Sequence, residues 1–470
     1  MTDLTALSAS DLSRLVAARQ TAPSEIMAAF LARNAAVNPG LNAIVAQRNP
    51  ADLMAEARAA DDAPPQGWLH GLPLAVKDLV AVKGIRSTWG SPVFADHVPD
   101  ADDMLARRLR GAGAILAAKT NTPEFGLGSH SFNPVHGVTG NPYDSTRTAG
   151  GSSGGAAAAL AARLVPVADG SDMMGSLRNP AAFCNVYGFR PSYGLVPSDP
   201  VGDTFLHQLA TDGPMARNVE DMARLLETLS QPDAADPHSR PTEPFAEGLD
   251  RDVKGMAIGW LGDWGGAYAM EPGILDTCGN ALKTLADLGC HVEDVPPPFP
   301  AAKLWEAWIT LRSWAVAARL GPLYAHAPHR ALLKPEAIWE IERGNAFSAM
   351  QVHRASVVRS EWFTALASLF TRFDALVLPA AQVWPFPKDW RYPETIGTTG
   401  MDTYHRWMEV VIPVSLVGLP ALAAPAGFGT NGLPMGVQIF GPRGADRALL
   451  QLGQAYHRAT DWPGRRPPLL

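Results

Sequence analysis

The strongest constraint on the fold is a regular alternation of helical segments with short apolar segments along most of the chain. The apolar segment 114–120, for example, follows a segment at 102–113 whose apolar residues recur at helical spacing. Strands that alternate with helices are typical of α/β proteins, in which helices cover a central sheet. We therefore expect a single large α/β/α sandwich with a mixed, mostly parallel central sheet.

The predicted elements follow this alternation. Helices are expected to begin near Ser8 and Ser24 and to occupy 102–113, 154–163, 219–230 and 274–288. Strands are expected at 71–82, 114–120, 164–170, 256–261, 291–295 and 374–380, with a hairpin-like segment at 432–441. The long apolar stretch 410–428 contains three prolines that would break a membrane-spanning helix, so we expect a buried helix, a turn and a core strand there.

One domain is expected to span residues 1–470, with its core at about 65–230 and 370–470. Segment 231–252 is rich in Pro, Asp and Ala without periodicity, and we interpret it as a surface excursion rather than an interdomain linker. A variable helical region is expected at about 300–370. It is rich in tryptophan, with Trp305, Trp308, Trp314, Trp339 and Trp362.

The composition excludes several classes of function. The net charge is −7 and no basic run appears, which argues against a nucleic-acid-binding surface. Three cysteines without a CxxC motif exclude a disulfide scaffold and a cysteine-rich metal site. The first 20 residues carry no continuous apolar segment of a secretory signal. We expect a cytoplasmic protein with no metal or other cofactor, and no membrane or nucleic-acid partner.

The loop 169–176, DGSDMMGS, follows a predicted strand and is a candidate oxyanion site. The backbone N–H groups of Met173, Met174, Gly175 and Ser176 could all point inward, with Ser176 as the nucleophile. The alternative is that Ser176 caps a helix and Gly175 is a turn residue.

A nucleophilic serine needs a base, and no histidine lies in a recognisable nucleophile motif. The histidines nearest in sequence, His130 and His136, are interpreted as loop or pocket residues. Lys77 follows an apolar run that should carry it into the interior, where its pKa would have to fall by about 3 units. Lys119, in AILAAKT, is a rival buried lysine, and the sequence pattern does not separate the two.

The segment GGSSGG at 150–155 lacks the GK[ST] of a phosphate-binding loop, and its apolar neighbours disfavour a flexible linker. A third interpretation is a strained turn that places Ser152 between Lys77 and Ser176 as a proton relay.

Together these segments resemble the amidase signature family of serine hydrolases, over nearly the whole chain. The resemblance rests on GLPLAVKD at 71–78, KTNTPEFGLG at 119–128, NPYDSTRTAGGSSGGAAAA at 141–159, GSDMMGSLRNPAAFCNVYGFRPSYGLVP at 170–197, TDGPMARNVEDMARLL at 211–226, DALVLP at 374–379, GLPA at 418–421 and GLPMGVQIFG at 432–441. The 24-residue separation of Ser152 from Ser176 is also in register with the family.

The resemblance implies a Ser-cisSer-Lys triad with Ser176 as the acylated nucleophile, Ser152 as the bridging hydroxyl and Lys77 as the base. It also implies a cis peptide bond between Gly151 and Ser152. The family usually has two glycines before the nucleophile, whereas this chain has Met174 and Gly175. We expect the Met174 side chain to reach into or behind the substrate pocket.

The resemblance also places the pocket wall at 126–132, with Gly126, Leu127, Ser129 and Phe132 as candidates beside Met174. The tryptophan-rich region, up to Trp384, Trp390 and Trp407, is expected to supply a variable aromatic rim that favours a bulky apolar substrate. The sequence DMMGSLRNP at 172–180 is similar to that of aryl-acylamidase-like members of the family.

The main hypothesis is an amidohydrolase for C–N bonds of small aryl or otherwise bulky apolar amides, with esters and carbamates as further candidates. The alternative is the glutamine-hydrolysing subunit of a tRNA-dependent amidotransferase. A binding protein with an inactive oxyanion loop is a third hypothesis. The expected partner is a small-molecule amide substrate, and the oligomeric state considered for the chain is a homodimer.

Overall fold

The computed structural model describes residues 3–464, and its helices and strands alternate along the chain as expected. The helices are α1 (Ala9–Ala17), α2 (Pro23–Leu41), α3 (Pro50–Asp62), α4 (Met104–Gly111), α5 (Gly154–Ala161), α6 (Asn179–Phe183), α7 (Val219–Leu229), α8 (Ile274–Asp287), α9 (Ala301–Ala325), α10 (Ala327–Arg330), α11 (Pro335–Ala346), α12 (Ala349–Leu369), α13 (Ile412–Ser415) and α14 (Asp446–Thr460). The strands are β1 (Ile44–Val45), β2 (Pro73–Lys77), β3 (Ile115–Thr120), β4 (Phe132–Asn133), β5 (Gly137–Val138), β6 (Gly140–Asn141), β7 (Asp144–Thr148), β8 (Ala168–Asp172), β9 (Tyr187–Arg190), β10 (Thr211–Ala216), β11 (Ala257–Trp260), β12 (His291–Asp294), β13 (Ala375–Pro379), β14 (Thr395–Ile396), β15 (Thr399–Gly400), β16 (Ala421–Phe428) and β17 (Pro434–Phe440).

The central sheet has eight strands in the order β12-β11-β13-β17-β16-β9-β10-β8 and is covered by helices, which confirms the α/β fold class and the mixed sheet. The expectation that it is mostly parallel is wrong. Among the described strands, β11 pairs in parallel with β12 and with β13, whereas the other neighbouring pairs are antiparallel. Apolar strand sequences show that both faces of a sheet are buried, but they do not encode the order in which strands pair.

A smaller sheet, β1-β3-β2, carries the lysine that the sequence selects as a base. Strand β2 is buried throughout and pairs in parallel with β3, so that Lys77 lies opposite Thr120 and Val76 opposite Lys119. Successive side chains of a strand point to opposite faces, so the two buried lysines point to opposite sides of this sheet. This register separates the two candidates that the sequence pattern left equivalent.

Helix α5 explains the alanine-rich segment between the two serine loops. All of its residues are buried, and it contacts β8 and β10 of the large sheet as well as β2 and β3 of the small one. Small residues let the backbones approach closely: a Cβ on Gly155 would lie 2.3 Å from the Asn121 nitrogen. The helix therefore begins, with Ser152 and Ser153 just before it, at the junction of the two sheets.

Several local predictions are confirmed and others shift. Ser8 caps α1 by accepting from the Asp11 N–H at 2.9 Å, as expected. Ser24 is not a cap, because Pro23 already occupies the first turn of α2 and the Ser24 hydroxyl donates to Asp61 at 2.6 Å.

Three predicted strand segments differ from the observed strands. The strand expected at 164–170 begins at Ala168, because the preceding residues form a turn after α5. The strand expected at 71–82 is confined to β2, and the segment at 432–441 supplies β17, which pairs with β16.

The region at about 300–370 is helical, as expected, and comprises α9 to α12. Segment 231–252 contains no helix or strand, and the strands before and after it, β10 and β11, belong to the same sheet. The single domain over 1–470 stays a prediction, and residues 1–2 and 465–470 lie outside the described range. Stretch 410–428 folds into a short helix, a turn and β16, as expected. No helix within residues 3–464 has the length and apolar character needed to cross a membrane.

Candidate active site

Lys77 ends β2 with its side chain in the interior, where it is 1% exposed. Its Nζ lies 2.8 Å from Ser152 Oγ, 2.8 Å from Ser153 Oγ and 2.9 Å from Ser171 Oγ. All three partners are neutral hydroxyls rather than carboxylates. Of these serines, Ser152 was selected from the sequence and Ser153 and Ser171 were not, although both lie inside the segments 150–155 and 169–176.

Burial lowers the pKa of Lys77 from 10.5 to about 7. The carboxylates of Asp169 and Asp212 act in the opposite direction, but desolvation dominates. Asp169 does not pair with the amine itself and instead accepts from the Lys77 backbone N–H at 3.0 Å. The amine is therefore held in the uncharged form for much of the time at neutral pH.

Lys119 is equally buried, and desolvation lowers its pKa to about 8. Its Nζ donates to the backbone carbonyl of Val80 and has no serine hydroxyl among its described partners. Of the two buried lysines, Lys77 is the one in contact with the serine loops.

Ser152 and Ser153 form the end of a loop that enters α5. The Gly151–Ser152 peptide bond is cis, which confirms what the resemblance implies. The Ser153 N–H donates to the carbonyl oxygen of Ser176 at 3.3 Å. This bond joins the two serine loops directly.

The loop before Ser176 is anchored by a buried carboxylate, that of Asp172, which the sequence analysis did not single out. Asp172 accepts from both nitrogens of the Arg178 fork at 3.0 Å and from Arg190 at 3.0 Å. These two guanidinium groups hold the pKa of the Asp172 carboxyl well below its usual range, against the effect of burial. Gly175 has φ +79°, and a Cβ there would lie 2.9 Å from Val411, so a glycine is required.

The oxyanion prediction needs one correction. The Gly175 N–H donates to Asp172 Oδ1 at 2.9 Å and is not free to bind an oxyanion. The N–H groups of Met173, Met174 and Ser176 have no hydrogen-bond acceptor among residues 3–464. Met174 does not have a positive φ, so its side chain meets no backbone strain in this position.

Ser176 is 7% exposed and lines the same cavity as Ser152. Within residues 3–464, no hydrogen bond joins Ser176 Oγ to Ser152 Oγ. The predicted proton transfer from Ser176 to Ser152 is therefore supported by the cavity that both side chains line and not by a direct hydrogen bond. The nearby His130 is not a partner of either serine. Its ring nitrogens contact Thr148 and the Lys388 carbonyl, and burial lowers its pKa to about 4.

The cavity above the serines has a volume of about 80 Å³. A pocket for a drug-sized ligand holds about 300–1,000 Å³, so this chamber fits a small group. It is lined by Leu79, Phe125, Gly126, Leu127, Ser152, Ser171, Met173, Ser176, Ala210, Arg312, Ala315, Val316, Arg319 and Leu320.

The predicted pocket wall is found in part. Gly126 and Leu127 line the cavity, but three candidates do not. The Ser129 hydroxyl turns away to Asn179 and the Gly151 carbonyl. The Phe132 ring packs on His130, with ring centroids 4.8 Å apart. Met174 is 2% exposed and packs in the main core, whereas the side chain of its neighbour Met173 faces the cavity.

The tryptophan-rich region supplies a wall of the cavity through α9, but no tryptophan within residues 3–464 lines it. Trp308 and Trp362 are fully buried in the core. Trp339 and Trp390 line a separate groove of about 910 Å³ that contains none of the serines around Lys77. The expected tryptophan rim is therefore not found at this cavity among the described residues, and Phe125 is the aromatic side chain of a wall that is otherwise mainly aliphatic, hydroxylic and charged.

Arg312 and Arg319 are cavity residues that the sequence analysis missed. They lie two helical turns apart on α9, and this spacing was the available signal. Arg312 is buried and donates to Glu340 at 2.7 Å and to the Tyr404 hydroxyl at 2.8 Å. No group of three or more His, Cys, Asp or Glu side chains in the described part of the chain could hold a metal ion.

Comparisons with known proteins find related proteins that match nearly the whole chain. A family profile described as Amidase matches residues 25–450. The chain is 32% identical to an acylamidase of Rhodococcus erythropolis, over 98% of this chain and 97% of that one. It is 34% identical to a glutamyl-tRNA(Gln) amidotransferase subunit of Chloroflexus aurantiacus, over the full length of both. A crystal structure of a bacterial aryl acylamidase of the amidase signature enzymes superposes with a TM-score of 0.91 and 30% identity, over 98% of this chain and 99% of that one.

Proposed function

This chain belongs to the amidase family and is an amide-hydrolysing enzyme, and on that premise we propose that it is a serine amidase in which Ser176 is the nucleophile, Ser152 the bridging hydroxyl and Lys77 the base. The proposed substrates are small aryl or otherwise apolar amides, with an acyl-enzyme as intermediate.

One observation carries the proposal: the buried amine of Lys77 contacts three serine hydroxyls and its pKa is lowered to about 7. A neutral primary amine has two N–H donors and one lone pair. The Ser153 hydroxyl lies 3.4 Å from the Ser171 carbonyl and can donate to it, which leaves its lone pairs for a Lys77 N–H. With Ser171 accepting the second N–H, the amine lone pair is directed at the Ser152 hydroxyl proton.

In the first half-reaction, Ser176 Oγ attacks the amide carbonyl carbon and its proton passes to Ser152 Oγ as the Ser152 proton passes to Lys77 Nζ. The carbonyl oxygen becomes an oxyanion beside the free N–H groups of Met173, Met174 and Ser176. The proton then returns from the ammonium through Ser152 to the amide nitrogen. The C–N bond breaks, the amine leaves, and the acyl group stays on Ser176.

In the second half-reaction, water takes the place of the amine. It attacks the acyl carbon while its proton moves through Ser152 to Lys77, and the same proton returns to Ser176 Oγ as the C–O bond to the enzyme breaks. The products are a carboxylic acid and the regenerated enzyme. Each nucleophilic attack uses the neutral amine of Lys77 as the proton acceptor, and each bond cleavage uses the ammonium so formed as the proton donor. The lowered pKa of Lys77 supports this assignment.

The proposed substrate class rests on the cavity and on the relatives. A volume of about 80 Å³ and the apolar side chains of Phe125, Leu127, Val316 and Leu320 suit a small apolar group near the scissile bond. The aryl preference is supported by the similarity to the aryl acylamidase structure.

A second candidate function is glutamine hydrolysis within a tRNA-dependent amidotransferase. The observation that favours it is the 34% identity to the Chloroflexus aurantiacus protein over the full length of both chains. Release of glutamate from L-glutamine without hydrolysis of acetanilide, or co-purification with a second protein chain, would select this function over the first.

The test of the proposed machinery uses a fluorophosphonate probe, which reacts with an activated serine, together with hydrolysis of a chromogenic anilide. We expect Ser176→Ala to abolish labelling and turnover, and Ser152→Ala to lower both by orders of magnitude. Ser24→Ala is the matched control, because its hydroxyl lies on α2 and bonds to Asp61. Full activity in Ser176→Ala contradicts the nucleophile, and wild-type protein that hydrolyses the anilide without taking up the probe contradicts an activated serine.

A further inference from the structure

Helix α9 presents one stripe of side chains to the active-site cavity. Arg312, Ala315, Val316, Arg319 and Leu320 all line it, at the three- and four-residue spacing of one helix face. The stripe places two guanidinium groups in a chamber whose other walls are hydroxyls and apolar side chains.

The two arginines are in different electrostatic situations. Arg312 is buried, and its charge is neutralised by Glu340, which accepts from its Nε at 2.7 Å. The Tyr404 hydroxyl and the Met173 sulfur occupy its remaining nitrogens, at 2.8 and 3.4 Å. This arginine is part of the scaffold of the cavity and has little capacity left for a ligand.

Arg319 is exposed at the cavity and makes no hydrogen bond or ion pair within residues 3–464. Its charge interacts with that of Asp212, which lies on β10 opposite Ser171. Burial and the carboxylate of Asp169 raise the pKa of Asp212 to about 7, so this counter-charge is only partly present at neutral pH. The cavity therefore has a positive charge without a matching protein partner.

A planar guanidinium with free N–H groups binds a carboxylate through two parallel hydrogen bonds, whereas an uncharged anilide offers it no matching acceptor pair. Taking the proposed amidase function as its basis, we infer that the substrate is an amide that also carries a carboxylate close to the scissile bond, and that Arg319 binds this carboxylate. The small volume of the chamber keeps the two groups close, because the Arg319 and Ser176 side chains line the same cavity of about 80 Å³.

The carboxylate could belong to the acyl part or to the amine part of the substrate, and two matched pairs separate these cases. Succinanilate against butyranilide places it on the acyl side, and 4-acetamidobenzoate against acetanilide places it on the amine side. We expect the wild-type enzyme to prefer the carboxylated member of one pair by at least about tenfold in kcat/KM, the scale of a charge-assisted hydrogen bond.

Arg319→Gln is expected to remove this preference, because KM for the carboxylated member should rise by about tenfold to a hundredfold and KM for the neutral member should rise much less. Arg319→Lys should retain part of the preference, since it keeps the charge but loses the fork. Arg354→Gln is the matched control, an exposed arginine on α12 that does not line the cavity. It should change neither substrate.

Equal losses on both members of a pair in Arg319→Gln, or no carboxylate preference in the wild-type enzyme, would overturn the inference. These outcomes are distinct from a failure of the proposed function. The latter appears as hydrolysis or fluorophosphonate labelling that survives Ser176→Ala, whatever the charge of the substrate.

Discussion

Replacing the lysine amine tests the chemistry most directly. Methionine is nearly as long as lysine and resembles its apolar stem, so Lys77→Met fills much of the same buried space and removes the base. We expect the variant to fold, to lose amide hydrolysis, and to react with a fluorophosphonate about a thousandfold more slowly than the wild-type enzyme at pH 7.

The magnitude follows from the pKa shift. At the ordinary pKa of 10.5, about one lysine in 3,000 would be neutral at pH 7, whereas at a pKa of about 7 half of the molecules carry the neutral amine. The fold thus supplies roughly a thousandfold more base. The same shift corresponds to about 5 kcal/mol of differential stabilisation of the neutral form, most of it the cost of burying an ammonium.

This cost also predicts how stability depends on pH. Because the pKa of Lys77 is lower in the folded than in the unfolded state, the penalty is fully present below pH 7 and is lost as the pH rises toward 10.5. Lys77→Met escapes the penalty but loses three hydrogen bonds, each worth about 1 kcal/mol. At pH 6 the variant should be more stable by about 2 kcal/mol. This advantage should vanish near about pH 8, where the penalty equals the lost hydrogen bonds, and by pH 10 the variant should be less stable by about 2 kcal/mol.

The assay is the pseudo-first-order labelling rate of the wild-type enzyme from pH 5 to 9, followed by thermal unfolding of both proteins over pH 6–10. The wild-type rate should rise about tenfold per unit below pH 7 and level off above it. Lys119→Gln is the control for removing a buried amine, because its Nζ contacts a backbone carbonyl and no serine. It should keep the same profile.

A labelling midpoint near pH 10, or a midpoint near pH 7 that persists in Lys77→Met, refutes the argument that this amine is the base. Equal melting temperatures of the two proteins at every pH would refute the desolvation argument separately.

Three further predictions concern the surroundings of the site. Asp212→Asn removes a carboxylate that raises the pKa of Lys77, so the labelling midpoint should move to lower pH. Glu340→Gln leaves the buried Arg312 charge unpaired and should destabilise the protein by about 3 kcal/mol in thermal unfolding. Because the pKa of Glu340 is lowered in the folded state, this contribution is present above pH 4.5 and is lost as the pH falls through the folded-state value. Met174→Ala should cost about 2–5 kcal/mol of stability, since the side chain is buried in the core, and should leave substrate preference unchanged.

Matched variants sharpen each of these tests. An unchanged or higher labelling midpoint in Asp212→Asn contradicts the assigned direction. Glu336→Gln breaks an ion pair with the exposed Arg391 and should cost less than about 1 kcal/mol, so equal losses in both glutamine variants count against the burial argument. Met173→Ala changes a cavity wall, and it should alter substrate preference where Met174→Ala does not.

Much of the fold could be predicted from the sequence, because the spacing of apolar residues indicates which face of each helix or strand is buried. Helices α4, α5, α7 and α8 lie within a few residues of their predicted bounds, since each buries one face or all of its surface. The pairing of the central strands was predicted wrongly, because strand order depends on long-range contacts that no local pattern contains. Ser24 was misassigned for a local reason, since the preceding proline already begins the helix.

For the candidate site, too, some features were predicted from the sequence and others were decided by the tertiary structure. The residue types and spacing of the serine loops indicate Ser152 and Ser176 as candidates, and apolar runs indicate Lys77 and Lys119 as buried lysines. The resemblance to a family selects Lys77 and supplies the proposed roles. Which buried lysine meets the serines depends on the alternation of side chains across β2 and β3, and Lys119 points to the other face.

The sequence by itself determined the alternating elements, the buried lysines and the serine-rich loops, because burial and backbone preference act between near neighbours. The tertiary structure alone decided that Gly175 has no free N–H, that Met173 rather than Met174 faces the cavity, and that α9 contributes Arg319. The last two of these features arise where segments more than a hundred residues apart meet, and the energies that select such contacts belong to the packed chain rather than to any one segment. The first depends on the Asp172 carboxylate, which Arg178 and Arg190 hold in place.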